Sequence, residues 1–269
     1  RDDRGARFTG ARMGTDERAG DAPPKMHRGN KAQMKRKADS LVRDAGIPHN
    51  LAWQVATGAM SLNEVLERLA RNDKVDGLMR RFDLPKSLAT QVALGQADLD
   101  QVLRKRRMEK EMERSRERSF LLEVTQGGVP VVLGLHGRRT DKGFVRSVDQ
   151  YDFSFEARGA DAAETVHKLQ IKWACLGDDE LKVRKAHKKD KDRDADSEPV
   201  WKPQDRYGCS DKRLFGYLDD CEDIQVTLLE GDRFTGHVTW MGRWEFGMEL
   251  KKGAQVVIFR HAIADVRRV

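Results

Sequence analysis

Apolar positions change period once along the chain. Between residues 46 and 124 they recur every three or four residues, the spacing of a helix face. From residue 129 onward they fall into short β-branched and aromatic runs that alternate with polar residues, the spacing of half-buried strands. Two helical stretches, GIPHNLAWQVATGAMSLNEVLERL (46–69) and DLPKSLATQVALGQADLDQVLRKR (83–106), superimpose at an offset of 37 residues. Pro48/Pro85, Leu51/Leu88, Ala52/Ala89, Val55/Val92, Gly58/Gly95 and Val65/Val102 coincide. Each copy opens on Pro near a helix N-terminus, breaks at Gly and resumes, which predicts a helix–turn–helix pair. Ser61 with Glu64 spells a capping box for the second helix of the first copy. The doubling predicts a small helical domain whose two pairs cover each other's apolar faces.

Strand signals follow in two groups. The first is VPVVLGLHG (129–137), GFVRSVDQYDFSFE (143–156) and KLQIKWACL (168–176); the second is IQVTLLEG (224–231), GHVTWMGRWEFGMEL (236–250) and QVVIFRHAIADV (255–266). The groups are themselves a repeat. At an offset of 93, Gly143/Gly236, Val145/Val238, Tyr151/Trp244, Phe153/Phe246 and Phe155/Met248 coincide. The closing strands align at an offset of 88, matching Lys172/Arg260, Trp173/His261 and Ala174/Ala262. A short apolar-aromatic helix precedes each group, at 119–124 and 213–220. The expected fold class is α+β: an N-terminal helical repeat domain, then two small bent five-stranded β-barrels, each with an N-terminal helix. The expected organisation is a disordered basic arm at 1–37, a helical domain at 38–114, β-units at 115–176 and 213–269, and a charged linker at 177–212.

Composition sharpens this picture in two places. Hydrophobic residues make up 38% and charged ones 35%, which favours several small cores over one large one. A net charge of +7 favours polyanionic partners. Lys and Arg outnumber Asp and Glu twelve to seven over 1–46, whereas 178–199 holds seven basic against eight acidic residues and reads as a spacer. The helical stretch 98–124 clusters cations at Arg104–Arg107 and at Arg114, Arg116 and Arg118. It reads either as a solvated connector or as a phosphate-contacting face. No apolar run approaches membrane-spanning length, so no membrane partner is expected. Three cysteines without CxxC spacing fit reduced thiols in a cytoplasmic protein and no metal site. Nucleotide-binding glycine loops and the common hydrolase motifs are missing, and His136, His167 and His187 are scattered. No enzyme activity and no cofactor are expected.

Three segments carry a resemblance: FLLEVTQGGVPV (120–131), SVDQYDF (147–153) and FRHAIADV (259–266). In order and spacing they resemble the bacterial Sm-like RNA chaperone family (Hfq-like), as two tandem divergent copies. The resemblance covers the two β-units and leaves the helical repeat and the arm outside. It implies binding of single-stranded RNA (mRNA or small RNA) for post-transcriptional regulation or RNA chaperoning. It also implies pairing of edge strands between units, which three chains would close into a pseudo-hexameric homo-oligomeric ring, with an intramolecular pair or a dimer as the alternatives. The RNA-binding residues it implies are Gln150, Tyr151 and Lys172 in the first copy, and Arg243, Trp244, Arg260 and His261 in the second. Trp173 stands where the family has His, and Arg243 where it has Gln. Read as residues alone, Tyr151 and Trp244 fit a buried strand face as well as a stacking platform, and His261 fits a structural histidine. Two other functions match the same sequence: an oligomerisation scaffold, and a ribosome- or DNA-associated factor acting through the helical repeats.

Overall fold

A computed structural model describes residues 28–190 and 197–269. The chain divides into two compact units, one ending at Ala97 and one spanning Asp98–Val269. The expected arm lies outside the described residues up to position 27; from Arg28 the chain is helical.

The first unit contains α1 (Arg28–Ala45), α2 (His49–Ala56), α3 (Leu62–Phe82) and α4 (Lys86–Ala93). Pro48 and Pro85 sit at the N-caps of α2 and α4, and Gly58 and Gly95 follow the two helices with positive φ of 74° and 70°. Such φ values cost glycine little, so each copy breaks its helix at the same place. The first helix pair is covered by α1: Ala38, Ile47, Leu51, Ala52 and Val65 form one core. Of the second pair, α4 belongs to this unit and the following helix to the next. The capping box is formed, with Glu64 N–H donating to Ser61 Oγ at 3.2 Å and Ser61 N–H donating to Glu64 Oε2 at 2.7 Å. Ser61→Ala should destabilise α3 by about 1 kcal/mol, read as faster hydrogen exchange of its first-turn amides.

The second unit begins with α5 (Leu99–Glu117) and α6 (Phe120–Gly127), then runs β1 (Val131–Leu135), β2 (Thr140–Val148), β3 (Asp152–Ala157), β4 (Glu164–His167) and β5 (Ile171–Leu176). The segment expected to be a spacer holds α7 (Glu180–Ala186) and β6 (Lys188–Lys189), with Val183 of α7 buried and β6 paired to β8. After it come α8 (Asp211–Asp219), β7 (Asp223–Leu228), β8 (Asp232–Met241), β9 (Glu245–Leu250), β10 (Gln255–Phe259) and β11 (Ile263–Arg268).

The expectation of two separate five-stranded barrels is wrong. The strands form one 11-stranded antiparallel sheet that does not close, in the order β11-β7-β8-β9-β10-β5-β1-β2-β3-β4, with β6 paired to β8 off that path. Each sequence copy supplies five consecutive strands of the order. The copies are joined where β10 pairs antiparallel with β5, Val257 opposite Ala174 and Ile258 opposite Trp173. The physical reason is edge satisfaction: unpaired backbone on β10 and β5 finds its partner in the other copy, making one continuous ladder.

Within each half the repeat is close. The β2–β3 and β8–β9 ladders shift register at matching places, Val145/Ser147 and Val238/Trp240, which bends both strands. At Gly143 and Gly236 a Cβ would stand 2.0 Å from the facing carbonyl oxygens of Glu156 and Glu249, so neither strand could cross so closely with any side chain there. Side chains on β1 alternate between two cores. Val131, Leu133 and Leu135 pack with Phe120, Leu121 and Val124 of α6, while Val132 joins the core under α8.

The structure moves the closing-strand alignment. Phe153 faces Val166 in one half and Phe246 faces Ile258 in the other, and Leu133 faces Ala174 where Val226 faces Val266. From β4 and β10 onward the offset is therefore 92, not 88. Arg260 corresponds to Lys168, and Lys172 corresponds to Ala264. The connection between the third and fourth strands differs by one residue between copies, not by five.

Candidate nucleic-acid interface

Two loops hold the sequence-predicted aromatics. Asp149–Tyr151 joins β2 to β3, and Gly242–Trp244 joins β8 to β9. The strands that follow bury their alternate residues, with Phe153, Phe155, Phe246 and Met248 all at 0% exposure. Tyr151 and Trp244 precede the first strand residue and leave that alternation: they are 63% and 59% exposed. The core reading of these two side chains therefore does not hold.

Each loop is fixed by a 3-10 turn that precedes the closing strand of its half. Lys168–Gln170 leads into β5 and Arg260–Ala262 into β11. The N–H of Lys168 donates to the Tyr151 carbonyl at 2.8 Å, and the N–H of Arg260 donates to the Trp244 carbonyl at 2.9 Å. The cation of each turn reaches back to its loop. Lys168 Nζ donates to the carbonyls of Asp149 and, at 3.2 Å, Gln150. Arg260 Nη2 donates to the Gly242 carbonyl at 2.8 Å, and Nη1 pairs with Asp211. Burial lowers the Lys168 pKa, opposed by the carboxylates of Glu245, Asp149 and Asp152.

The remaining predicted residues divide. Gln150 stands beside its aromatic, its Nε2 donating to the Tyr151 hydroxyl at 3.0 Å. Arg243 lays its guanidinium over the Trp244 ring, 4.8 Å from the centroid. His261 is buried; its Nε2 lies 2.8 Å from the Ile171 carbonyl, and desolvation pulls its pKa down to about 4. It is a buried structural group that ties the second 3-10 turn to the start of β5.

Lys172 is not at a surface. It is 2% exposed, and its Nζ donates to Glu230 Oε2 and Asp232 Oδ2, each at 2.6 Å. Around this pair, Glu230 accepts from the N–H groups of Gly137 (2.6 Å) and Arg138 (3.1 Å), and His187 Nε2 lies 2.8 Å from Asp232 Oδ1. Burial pushes the Asp232 carboxyl up, but the hydrogen bonds from His187 and Lys172 outweigh it and hold the pKa down at about 2. Lys172 thus stitches β5 to the turn between β7 and β8.

Two residues were missed. Lys168 replaces Lys172 as the basic partner of the first loop; the closing-strand alignment at offset 88, four residues from the structural register, hides it. Trp201, in the segment expected to be a spacer, is 55% exposed with its ring 5.1 Å from that of His167, next to the Lys168 turn. A lone Trp in a charged stretch was its available signal.

Elsewhere, the basic run on α5 is partly neutralised. Arg104 pairs with Asp219 and Asp220, Arg107 pairs with Asp219, and Arg118 lies 4.2 Å over the Trp240 ring. Cys175 is buried and its thiol is pushed up to about 12, chiefly by desolvation. Among the described residues no group of three or more His, Cys, Asp or Glu is placed to hold a metal ion, and no helix is long and apolar enough to cross a membrane. Comparison with protein-family models, with curated proteins and with solved structures gives no match.

Proposed function

We propose that the chain binds single-stranded RNA, as an Sm-like protein of the bacterial RNA-chaperone type, and acts post-transcriptionally in the cytoplasm without turning the RNA over. The observation that carries this reading is the pair of outward-facing aromatics, Tyr151 and Trp244, at matching loops, each backed by a cation-bearing turn. An exposed aromatic held by backbone hydrogen bonds costs stability unless something covers it, and unstacked bases are flat enough to do so. Gln150 and Arg243 stand beside the rings where a base edge or phosphate would lie, and the net charge of +7 supplies the long-range attraction. The two sites are chemically unequal, one Tyr with an amide and one Trp with a guanidinium, so they bind with different strengths.

The same reading includes self-association. Among the described residues the sheet ends at β4 and β11, the counterparts of β10 and β5, which already pair with each other inside the chain.

The test is binding of an unstructured oligoribonucleotide to the full chain over a salt series. Affinity should fall steeply with salt. Tyr151→Ala and Trp244→Ala should each cost about 1–3 kcal/mol, roughly fivefold to a hundredfold or more in affinity. Lys172→Met, if folded, should bind RNA as the wild type does. Salt-independent affinity that both aromatic variants retain would sink the reading.

A further inference from the structure

One cavity of the second unit involves neither aromatic loop. It lies among residues of β1, β5, α7 and β6 and encloses about 120 Å³. Pockets for drug-sized molecules run to roughly 300–1,000 Å³, so this one suits a small ion or a single phosphoryl group. Its polar lining sorts into committed and spare groups. Asp232 is taken up by Lys172 and His187, and Glu180 accepts from Lys142 at 2.8 Å and from Arg184 at 3.2 Å. Arg139 pairs with Asp141 and Glu164. These groups are matched within the chain and offer nothing further. Among the described residues, four lining groups have no hydrogen bond or ion pair: the Arg138 guanidinium, the Lys189 ammonium, the Thr140 hydroxyl and the Trp173 indole N–H. All four can donate, three of them can only donate, and two are cations.

The Trp173 donor is the least expected. The residue is 8% exposed, and a buried indole N–H ordinarily finds a partner. Its ring lies so close to Gly134 that a Cβ there would stand 2.1 Å from Nε1. The absent side chain at Gly134 makes room for this nitrogen edge in the cavity wall. Arg138 is also held in an unusual state. Its φ is 57°, a left-handed backbone that a residue with a Cβ seldom adopts. Glu230 pins it there, accepting from the N–H groups of Gly137 and Arg138. Lys189 is paired to Asp232 in the β6–β8 ladder. The buried Lys172–Glu230–Asp232 cluster thus anchors the backbone of both spare cations.

We propose that this cavity binds a small tetrahedral oxyanion, phosphate or a terminal phosphoryl group, between Arg138, Lys189, Thr140 and the Trp173 indole. Such an ion presents acceptors in every direction, the complement of what the cavity leaves unused. Two spare cations balance its charge, while the cavity's carboxylates are already neutralised by their own partners. No residue of the Tyr151 or Trp244 loop takes part, so the inference goes beyond the RNA-binding reading and stands apart from it.

The test uses the full, nuclease-treated chain labelled with nitrogen-15 at tryptophan. It is titrated with sodium phosphate and, at matched ionic strength, with sodium chloride. The chain has five tryptophans, and one indole signal should shift and saturate with phosphate alone. Trp173→Phe should remove that signal and so assign it. Arg138→Asn keeps a residue that tolerates positive φ, and Lys189→Met keeps an apolar stem. Each should leave the circular dichroism unchanged and weaken phosphate binding about tenfold or more. Should Trp173→Phe fail to fold, loss of the saturating shift in these two exposed-site variants serves in its place. A shift that chloride reproduces overturns the proposal. So does one that never saturates or that both charge variants retain, each marking an adventitious ion only. A 5′-phosphorylated trinucleotide that competes with phosphate, where its 5′-hydroxyl form does not, assigns the oxyanion to a nucleic-acid end. Phosphate binding without that competition assigns it to the free ion.

Discussion

Lys172→Met should destabilise the second unit by about 3–5 kcal/mol, the largest loss expected from any single polar substitution here. The ammonium lies within 2.6 Å of both Glu230 and Asp232, and all three groups are buried. Removing it leaves two carboxylates out of water, supported by His187 beside Asp232 and by His136 and two backbone N–H groups beside Glu230. Methionine fills the stem's volume, so the loss reports on charge and not on a cavity. Urea unfolding followed by tryptophan fluorescence should show a lower midpoint at an unchanged slope. Adding Glu230→Gln and Asp232→Asn should recover most of the loss, because the neutral amides bear no unpaired charge. A single variant with wild-type stability would show that the cluster contributes nothing to holding β5 against the β7–β8 turn.

Acid should weaken the second unit in two separate steps. The first belongs to His261, whose pKa falls from 6.5 to about 4 on folding. Below pH 6.5 the unfolded chain takes up a proton that the folded chain refuses, so this stability is complete above that pH and lost progressively down to pH 4. The loss is about 3 kcal/mol. His136 acts in the same direction, since burial also lowers its pKa. The second step belongs to Asp232, whose folded pKa of about 2 lies below its ordinary 3.8. Its contribution is present above 3.8 and disappears as pH falls towards 2. Urea midpoints between pH 7.5 and pH 4.5 (experimental settings, roughly the histidine range) should therefore slope downward with acidification. His261→Gln should flatten most of that slope; a variant as steep as the wild type would assign the step to His136 instead.

Much of the local structure can be read along the chain. Pro48 and Pro85 start helices, Gly58 and Gly95 end them, and Ser61 with Glu64 caps α3, because proline's fixed φ, glycine's tolerance of positive φ and the cap's hydrogen bonds all act within a few residues. The alternation of Phe153, Phe155, Phe246 and Met248 likewise marks inward positions, since a strand has only two faces. The same rule misleads at Tyr151 and Trp244. They keep the two-residue spacing, but the chain leaves the strand there, and hydrogen bonds from the distant Lys168 and Arg260 turns join the local loop bonds in fixing that departure.

What the amino-acid order settled by itself is the repeat: two helical copies, two β copies, and a Gly-anchored crossing in each β copy. What only the tertiary structure decided is how the copies meet. A strand edge offers the same amides and carbonyls to any partner, so nothing local distinguishes a half closed on itself from β10 joined to β5 in one sheet. The fate of each cation was decided at the same level. Lys172 and Lys168 lie four residues apart on one chain segment, and one is sealed between Glu230 and Asp232 while the other backs the Tyr151 loop. Coulomb attraction and desolvation depend on what the fold brings within a few ångströms, and that is fixed by contacts some sixty residues away in sequence.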